Sequence, residues 1–180
     1  MKKVLYGRVP LVQATALLQF QKRGITQQLL HDLKYRGHTE ISSFFGRWLG
    51  AELAQISSYH SIDMVIPVPL HKQRLKQRGY NQVEGFGREI AQALQVPYRD
   101  DILVKISKTN SQVFKKRLMR FNPNLTQEEV FATVTTEAQH ANHVLLVDDI
   151  ITTGATLENC ATALLKDHNI LLSIATIAMA

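Results

Sequence analysis

Two carboxylates stand side by side at Asp148 and Asp149, and the hydroxyls of Thr152, Thr153 and Thr156 follow close behind. Adjacent carboxylates repel each other, so the pair needs cations or hydroxyl donors nearby. The neighbouring hydroxyls of a ribose are such donors, and a magnesium ion with its water shell supplies positive charge. The polar turn holds Gly154, which lets the backbone approach a ligand or adopt positive φ. It leads into a helical stripe, so unpaired helix-start amides join the hydroxyls, a combination that suits a phosphate. The whole string runs Val144-Leu145-Leu146-Val147-Asp148-Asp149-Ile150-Ile151-Thr152-Thr153-Gly154-Ala155-Thr156. In order, it is an apolar strand, an acidic edge, a tight turn and a helix entry. Either half alone reads as an acidic turn or a threonine-capped helix with no ligand. The ordered whole favours a phosphorylated pentose held at both ends.

The flanking segments supply a frame for that string. Val144 to Val147 is a continuous apolar run of the kind buried on both faces of a parallel sheet. Leu157, Cys160, Ala161, Leu164 and Leu165 predict the following helix, and Ile170 to Met179 a last strand. Upstream, Val12, Ala14, Ala16, Leu18 and Phe20 alternate like a half-buried strand. Ile25, Leu29, Leu30 and Leu33 make a short helical stripe that stops near Gly37. The spacing of Ile41, Phe44, Phe45, Trp48, Leu49 and Leu53 predicts a helix over 40–56, its aromatics packed in the core. Residues 62–66 predict a strand closed by Pro67 and Pro69. Val83, Phe86, Ile90, Ala91 and Leu94 predict a helix that Pro97 ends. Residues 102–106 and 130–134 predict strands, and the long basic stretch between them a lid or mobile hairpin. Alternating strands and helices over 60–180 predict an α/β fold with a parallel sheet flanked by helices. The core is residues 61–180, with residues 1–60 an N-terminal extension packed on it.

Bulk properties narrow the class. The chain has 180 residues and a formal net charge of +6, enough for one full domain. No apolar run is long enough for a membrane span, and Arg8, Pro10 and Gln13 interrupt the start, so a cytoplasmic protein is expected. Cys160 stands alone, which rules out an intrachain disulfide or a thiolate zinc site; its place on an apolar helix face makes it a core residue. His140 and His143 sit three apart without a third ligand for a metal. The positive charge gathers at Lys72, Arg74, Lys76 and Arg78, and again at Lys105, Lys108, Lys115, Lys116, Arg117 and Arg120. Such clusters attract polyphosphorylated metabolites and nucleic acids alike.

The string from Val144 to Thr156 resembles the phosphoribosyl pyrophosphate (PRPP) signature of type I phosphoribosyltransferases. Further pieces resemble the ComF family of phosphoribosyltransferase-like proteins: Leu33-Lys34-Tyr35-Arg36-Gly37, Pro67-Val68-Pro69-Leu70 and Arg78-Gly79-Tyr80-Asn81-Gln82, then Lys108-Thr109, Gln112, Arg117, Asn122 and Phe131. One departure is the cysteine-rich zinc-binding module with which ComF proteins often begin; this sequence has none. The resemblance implies a type I phosphoribosyltransferase-like sheet with a flexible basic loop, at about 106–128, and a hood-like extension. It implies that Asp148 and Asp149 bind the ribose hydroxyls and hold magnesium through water, and that Thr152, Thr153, Gly154, Ala155 and Thr156 bind the 5′-phosphate. Val68, Pro69, Leu70, His71 and Arg74 would form the pyrophosphate loop, often of unusual peptide geometry, for which Val68–Pro69 is one bond where a cis form is affordable. Lys105, Lys108 and Arg117 would come from the flexible loop. The implied reaction transfers the phosphoribosyl group from PRPP to an acceptor the sequence does not name, with release of pyrophosphate. The alternative is a non-catalytic PRPP-binding or single-stranded DNA-binding competence protein, for which Tyr80, Phe114 and Phe121 interleave with the cations. A homodimer and contacts with competence proteins are further implied possibilities.

Overall fold

Four parallel strands, in the order β1-β6-β5-β2, carry the molecule. The structure, a computed structural model, describes residues 1–106, 130–134, 141–166 and 170–180. The strands are β1 (Ala14–Gln19), β2 (Met64–Pro67), β5 (His143–Ile151) and β6 (Leu171–Met179), while β3 (Leu103–Ile106) and β4 (Val130–Thr133) pair only with each other, antiparallel. The helices are α1 (Lys2–Leu5), α2 (Ile25–Tyr35), α3 (Thr39–Leu53), α4 (Lys72–Arg78), α5 (Glu84–Leu94) and α6 (Ala155–Leu165), with a 3₁₀ turn at Ser57–Tyr59.

The unbroken apolar run in β5 has a simple cause. Val144 and Leu146 pack into one core with Ile66, Leu157 and Cys160, while Leu145 and Val147 pack into another with Phe86, Ile90 and Ile177. Side chains alternate between the faces of a strand, so a sheet covered on both sides needs apolar residues at every position. Residues 1–60 are woven into this arrangement. Ala14 pairs with Ile174, which makes β1 the edge strand beside β6. On one face α3 lies on α5 through glycines: a Cβ on Gly46 would stand 2.7 Å from the Phe86 carbonyl oxygen, and one on Gly50 2.9 Å from Ala93 Cβ.

Several expectations need correction. Residues 102–106 and 130–134 do form strands, but as an antiparallel ribbon outside the parallel sheet. The strand expected to close before Pro67 includes it. Val65 donates outward to Pro97 and Val68 donates to Val147, so the position of Pro67 faces away from β5 and costs no ladder bond. The aromatics of α3 divide: Phe45 is buried, whereas Phe44 and Trp48 are 53% and 47% exposed. The cations from Lys72 to Arg78, read as a loop and its surroundings, lie on α4, which Gly79 closes at φ +82°. Among the described residues every peptide bond is trans, Val68–Pro69 included. No helix among them is long and apolar enough to cross a membrane. Cys160 is buried in the core. The basic stretch with Lys108, Lys115, Lys116, Arg117 and Arg120, the aromatics Phe114 and Phe121, and His140 lie outside the described residues.

Candidate functional site

β2 stops one pair short of the carboxylates, since its last partner on β5 is Val147, opposite Pro67. From Asp148 onward β5 keeps β6 on one side and, among the described residues, pairs with no strand on the other. The strand does not end at the acidic pair, as the sequence suggested, but continues to Ile151 beside Met179. The pair therefore sits on a held strand with no strand on its other flank among the described residues. That crevice, beyond the carboxyl end of β2, is where open parallel sheets take ligands.

Both carboxylates are buried, Asp148 at 8% and Asp149 at 3% exposure. The backbone N–H of Asp149 donates to Asp148 Oδ1 at 2.8 Å. Asp149 Oδ2 meets Lys34 Nζ at 2.9 Å and accepts from Gln82 Nε2 at 3.1 Å. Among the described residues, Asp148 Oδ2 and Asp149 Oδ1 meet no partner. Burial, and after it the charge of Asp149, holds the Asp148 carboxyl well above the usual carboxylate range; the Asp149 amide, Lys34 and Lys105 pull the other way. A site of this kind accepts hydrogen bonds and draws in positive charge.

Three distant stretches meet around the pair. Arg78 donates to Gln82 Oε1 at 2.5 Å and lies 5.6 Å from the centre of the Tyr35 ring. Tyr80 donates its hydroxyl to the Leu33 carbonyl at 2.6 Å, and Asn81 donates to the Val68 carbonyl at 3.1 Å. Ser42 of α3 donates to the Gln82 carbonyl at 2.7 Å and accepts from the Phe86 amide at 2.9 Å, which fixes Gln82 under the acids. So Leu33 to Gly37, Val68 and Arg78 to Gln82 form one wall. A cavity of about 450 Å³ opens in it, lined by Lys34, Tyr35, Arg74, Gln77, Arg78 and Tyr80 among others.

The turn beyond β5 is built differently. Thr152 and Thr153 are exposed, Gly154 is buried at φ +80°, and Ala155 and Thr156 are half-buried at the start of α6. Thr153 Oγ1 accepts from the Ala155 amide at 3.4 Å. The N-terminal segment braces this turn. Arg8 donates to the Thr153 carbonyl at 2.7 Å and pairs with Glu158 of α6. A Cβ on Gly154 would stand 2.7 Å from Leu5 Cδ2.

Of the other expected positions, Arg74 lines the cavity, whereas His71 is spent on capping α4, its Nδ1 accepting from the Gln73 amide at 3.2 Å. Val68 is buried, with Pro69 and Leu70 half-buried between β2 and α4. Lys105 on β3 lies 5.3 Å from the centre of the Phe131 ring. Lys108 and Arg117 fall outside the described residues. The sequence reading did not assign Lys34, Gln82 or Arg8 to the site. Lys34 and Gln82 stand inside the quoted ComF-like pieces, a usable signal; Arg8 has none, because only the fold brings it to the turn. Among the described residues no three His, Cys, Asp or Glu side chains gather as a metal cage. A hard cation such as magnesium still fits the unspent carboxylate oxygens, with water and ligand oxygens completing its shell.

Residues 84–180 match the family described as Phosphoribosyl transferase domain. The chain is 30% identical over 141 residues to Competence protein ComFC of Bacillus subtilis, a match covering 78% of this chain and 53% of that protein. It is 28% identical over 144 residues to DNA utilization protein YhgH of Escherichia coli O157:H7, covering 77% of this chain and 60% of that one. To Competence protein F of Haemophilus influenzae it is 26% identical over 142 residues, with coverage of 77% and 61%. The chain thus spans little more than half the length of these relatives. Among solved structures, adenine phosphoribosyltransferase from Leishmania donovani aligns with a TM-score of 0.46 at 13% identity, covering 78% of this chain and 65% of that one.

Proposed function

The chain belongs to the phosphoribosyl transferase domain family, in its ComF-like branch, and on that premise we propose that it binds PRPP with magnesium and transfers the phosphoribosyl group to an acceptor nucleophile, releasing pyrophosphate. One observation carries this reading: a buried pair of carboxylates, an oxygen of each without a partner among the described residues, one short turn away from a helix start rich in hydroxyls. Ribose hydroxyls donate to Asp148 and Asp149. The hydroxyls of Thr152, Thr153 and Thr156 and the amides of the turn, Gly154 and Ala155 included, hold the 5′-phosphate. Arg74 and Arg78 at the cavity face the diphosphate as the bond from C1 to its oxygen breaks, and Lys105 approaches from β3. The electron pair leaves with pyrophosphate, an oxocarbenium-like centre forms at C1, and the acceptor's lone pair closes on it. Magnesium, when bound, supplies positive charge to the departing diphosphate. The protein contributes position, dryness and fixed charge; no side chain serves as a covalent nucleophile.

Calorimetric titration of PRPP with and without magnesium tests the binding step. An assay of pyrophosphate release against purine, pyrimidine and amine acceptors tests turnover. Binding in the micromolar range with acceptor-dependent release is expected. Absence of PRPP binding under both conditions overturns the proposal.

A second reading takes its support from the names of the relatives, which speak of competence and DNA utilization, and from the exposed Lys72, Arg74 and Lys76 on α4. In it the protein binds PRPP or single-stranded DNA without turnover. Single-strand affinity that falls steeply with salt and disappears on charge reversal along α4 favours that reading. Pyrophosphate release with any acceptor overturns it.

A further inference from the structure

We propose that Lys34 is a built-in counter-cation of the acidic pair, seated on Asp149 in the free protein and displaced on ligand binding into the adjoining cavity, where it meets the ligand's anionic end. The second half of this statement rests on the proposed binding of PRPP; the first half stands on geometry alone.

Two adjacent carboxylates at 8% and 3% exposure require compensation, because burial removes the water that would otherwise screen them. Among the described residues no further acidic or histidine ligands gather there to share a metal ion. Lys34 supplies the charge, with Nζ 2.9 Å from Asp149 Oδ2, and Gln82 takes the same oxygen at 3.1 Å. The two partners differ in mobility. Gln82 is fixed at its backbone by Ser42 and at its side chain by Arg78. Lys34 is the last-turn cation of α2, and its side chain, more open than that of Asp149, forms part of the cavity wall with Arg74 and Arg78. A four-carbon stem with a point charge at its end can turn from one anion to another. A ligand that brings hydroxyl donors to Asp149 and a diphosphate to the cavity offers that exchange: donors replace the ammonium on the carboxylate, and the ammonium gains a phosphate oxygen. The other groups bearing on the pair are Asp148 itself, the Asp149 amide and, from β3, Lys105.

Lys34→Met and Lys34→Arg test both halves. With magnesium alone and no PRPP, the melting temperature of the wild type should move less than that of Lys34→Met. Lys34→Met should melt lower and recover on adding millimolar magnesium, since the bared pair takes up a divalent ion in place of the ammonium; Lys34→Arg should behave like the wild type. In calorimetry without magnesium, Lys34→Met should bind PRPP about ten- to a hundredfold more weakly, as loss of a charge-assisted contact predicts, and magnesium should narrow the gap. A Lys34→Met protein that magnesium does not stabilise overturns the counter-cation. Unchanged metal-free PRPP affinity overturns the exchange. If Lys34→Met does not fold, Lys34→Gln, which keeps a donor without the charge, is read the same way. A wild type that fails to bind PRPP at all overturns the exchange along with the proposed function, while the magnesium arm still decides the counter-cation.

Discussion

The two ends of β5 both bury polar side chains, and they do so to opposite ends. At the start, His143 is closed in from every side: Ser61 Oγ meets its Nδ1 at 2.9 Å and Ser173 Oγ meets its Nε2 at 2.8 Å. Asp63 accepts from the amides of Asn142 and His143 at 2.6 and 2.9 Å. Both ring nitrogens have partners within the protein, so the group serves the joint between β2, β5 and β6. Farther along the strand, Asp148 and Asp149 crowd two acids together, and an oxygen of each meets no partner among the described residues. Buried polar groups cost stability unless they are hydrogen-bonded. The first end meets that demand from inside; the second, among the described residues, leaves two carboxylate oxygens without a protein partner, open to a molecule from outside. Function is read from the unmet part.

The largest break in this comparison comes from the acids. Asp149→Asn should weaken PRPP binding by about a hundredfold or more in calorimetry, because it removes the charge that grips hydroxyl donors. Binding within a fewfold of wild type would place the ligand elsewhere. Next in size is Gly154→Val, which puts a β-branched residue at φ +80° and drives its Cβ into Leu5. A loss of about 1–3 kcal/mol in urea unfolding is expected. A smaller effect of opposite sign is expected at Asp148. Its folded form holds a proton above the ordinary carboxylate value of 3.8, so between that value and the raised one the native state binds more protons than the unfolded chain. Stability from this residue is therefore greatest at low pH and drains away as pH rises. Asp148→Asn should flatten that fall and raise stability at neutral pH by about 0.5–2 kcal/mol while it weakens PRPP binding. A destabilised Asp148→Asn would show that the pair is structural. The smallest effect belongs to His143, which burial holds below its ordinary 6.5 against the pull of Asp63. The unfolded chain takes up a proton first on acidification, so stability falls as pH drops below about 6.5, by less than about 1.4 kcal/mol per unit. Urea midpoints from pH 7.5 to 5.5 should show this slope in the wild type and lose it in His143→Asn. Acid thus works against one end of β5 and in favour of the other.

Much of the functional strand was legible because its signals are local. Val144 to Thr156 holds the strand, the acids, the turn and the helix start in one run, and α3 and α5 show their apolar stripes within a few turns. What sequence could not supply was meeting at a distance. Lys34 and Gln82 reach Asp149 only because α2 and the start of α5 close on the same crevice. Arg8 finds Thr153 through the fold alone. α4 escaped notice because its one apolar side chain, Leu75, is exposed, which leaves no stripe to read. The short runs of apolar and β-branched residues in β3 and β4 announce strands but not their partner, and the aromatic spacing of α3 does not say which rings turn outward.

One pairing described above also sets a timetable. Among the described residues β1 completes its ladder only against β6, with Ala14 beside Ile174 and Gln19 beside Met179. A ribosome adds about 5–20 residues each second, so the nascent strand waits roughly ten to thirty seconds for its neighbour to be made. Throughout that interval Leu17 and Leu18 have no sheet to lie on, and a chaperone, or an unlucky neighbour, meets them first.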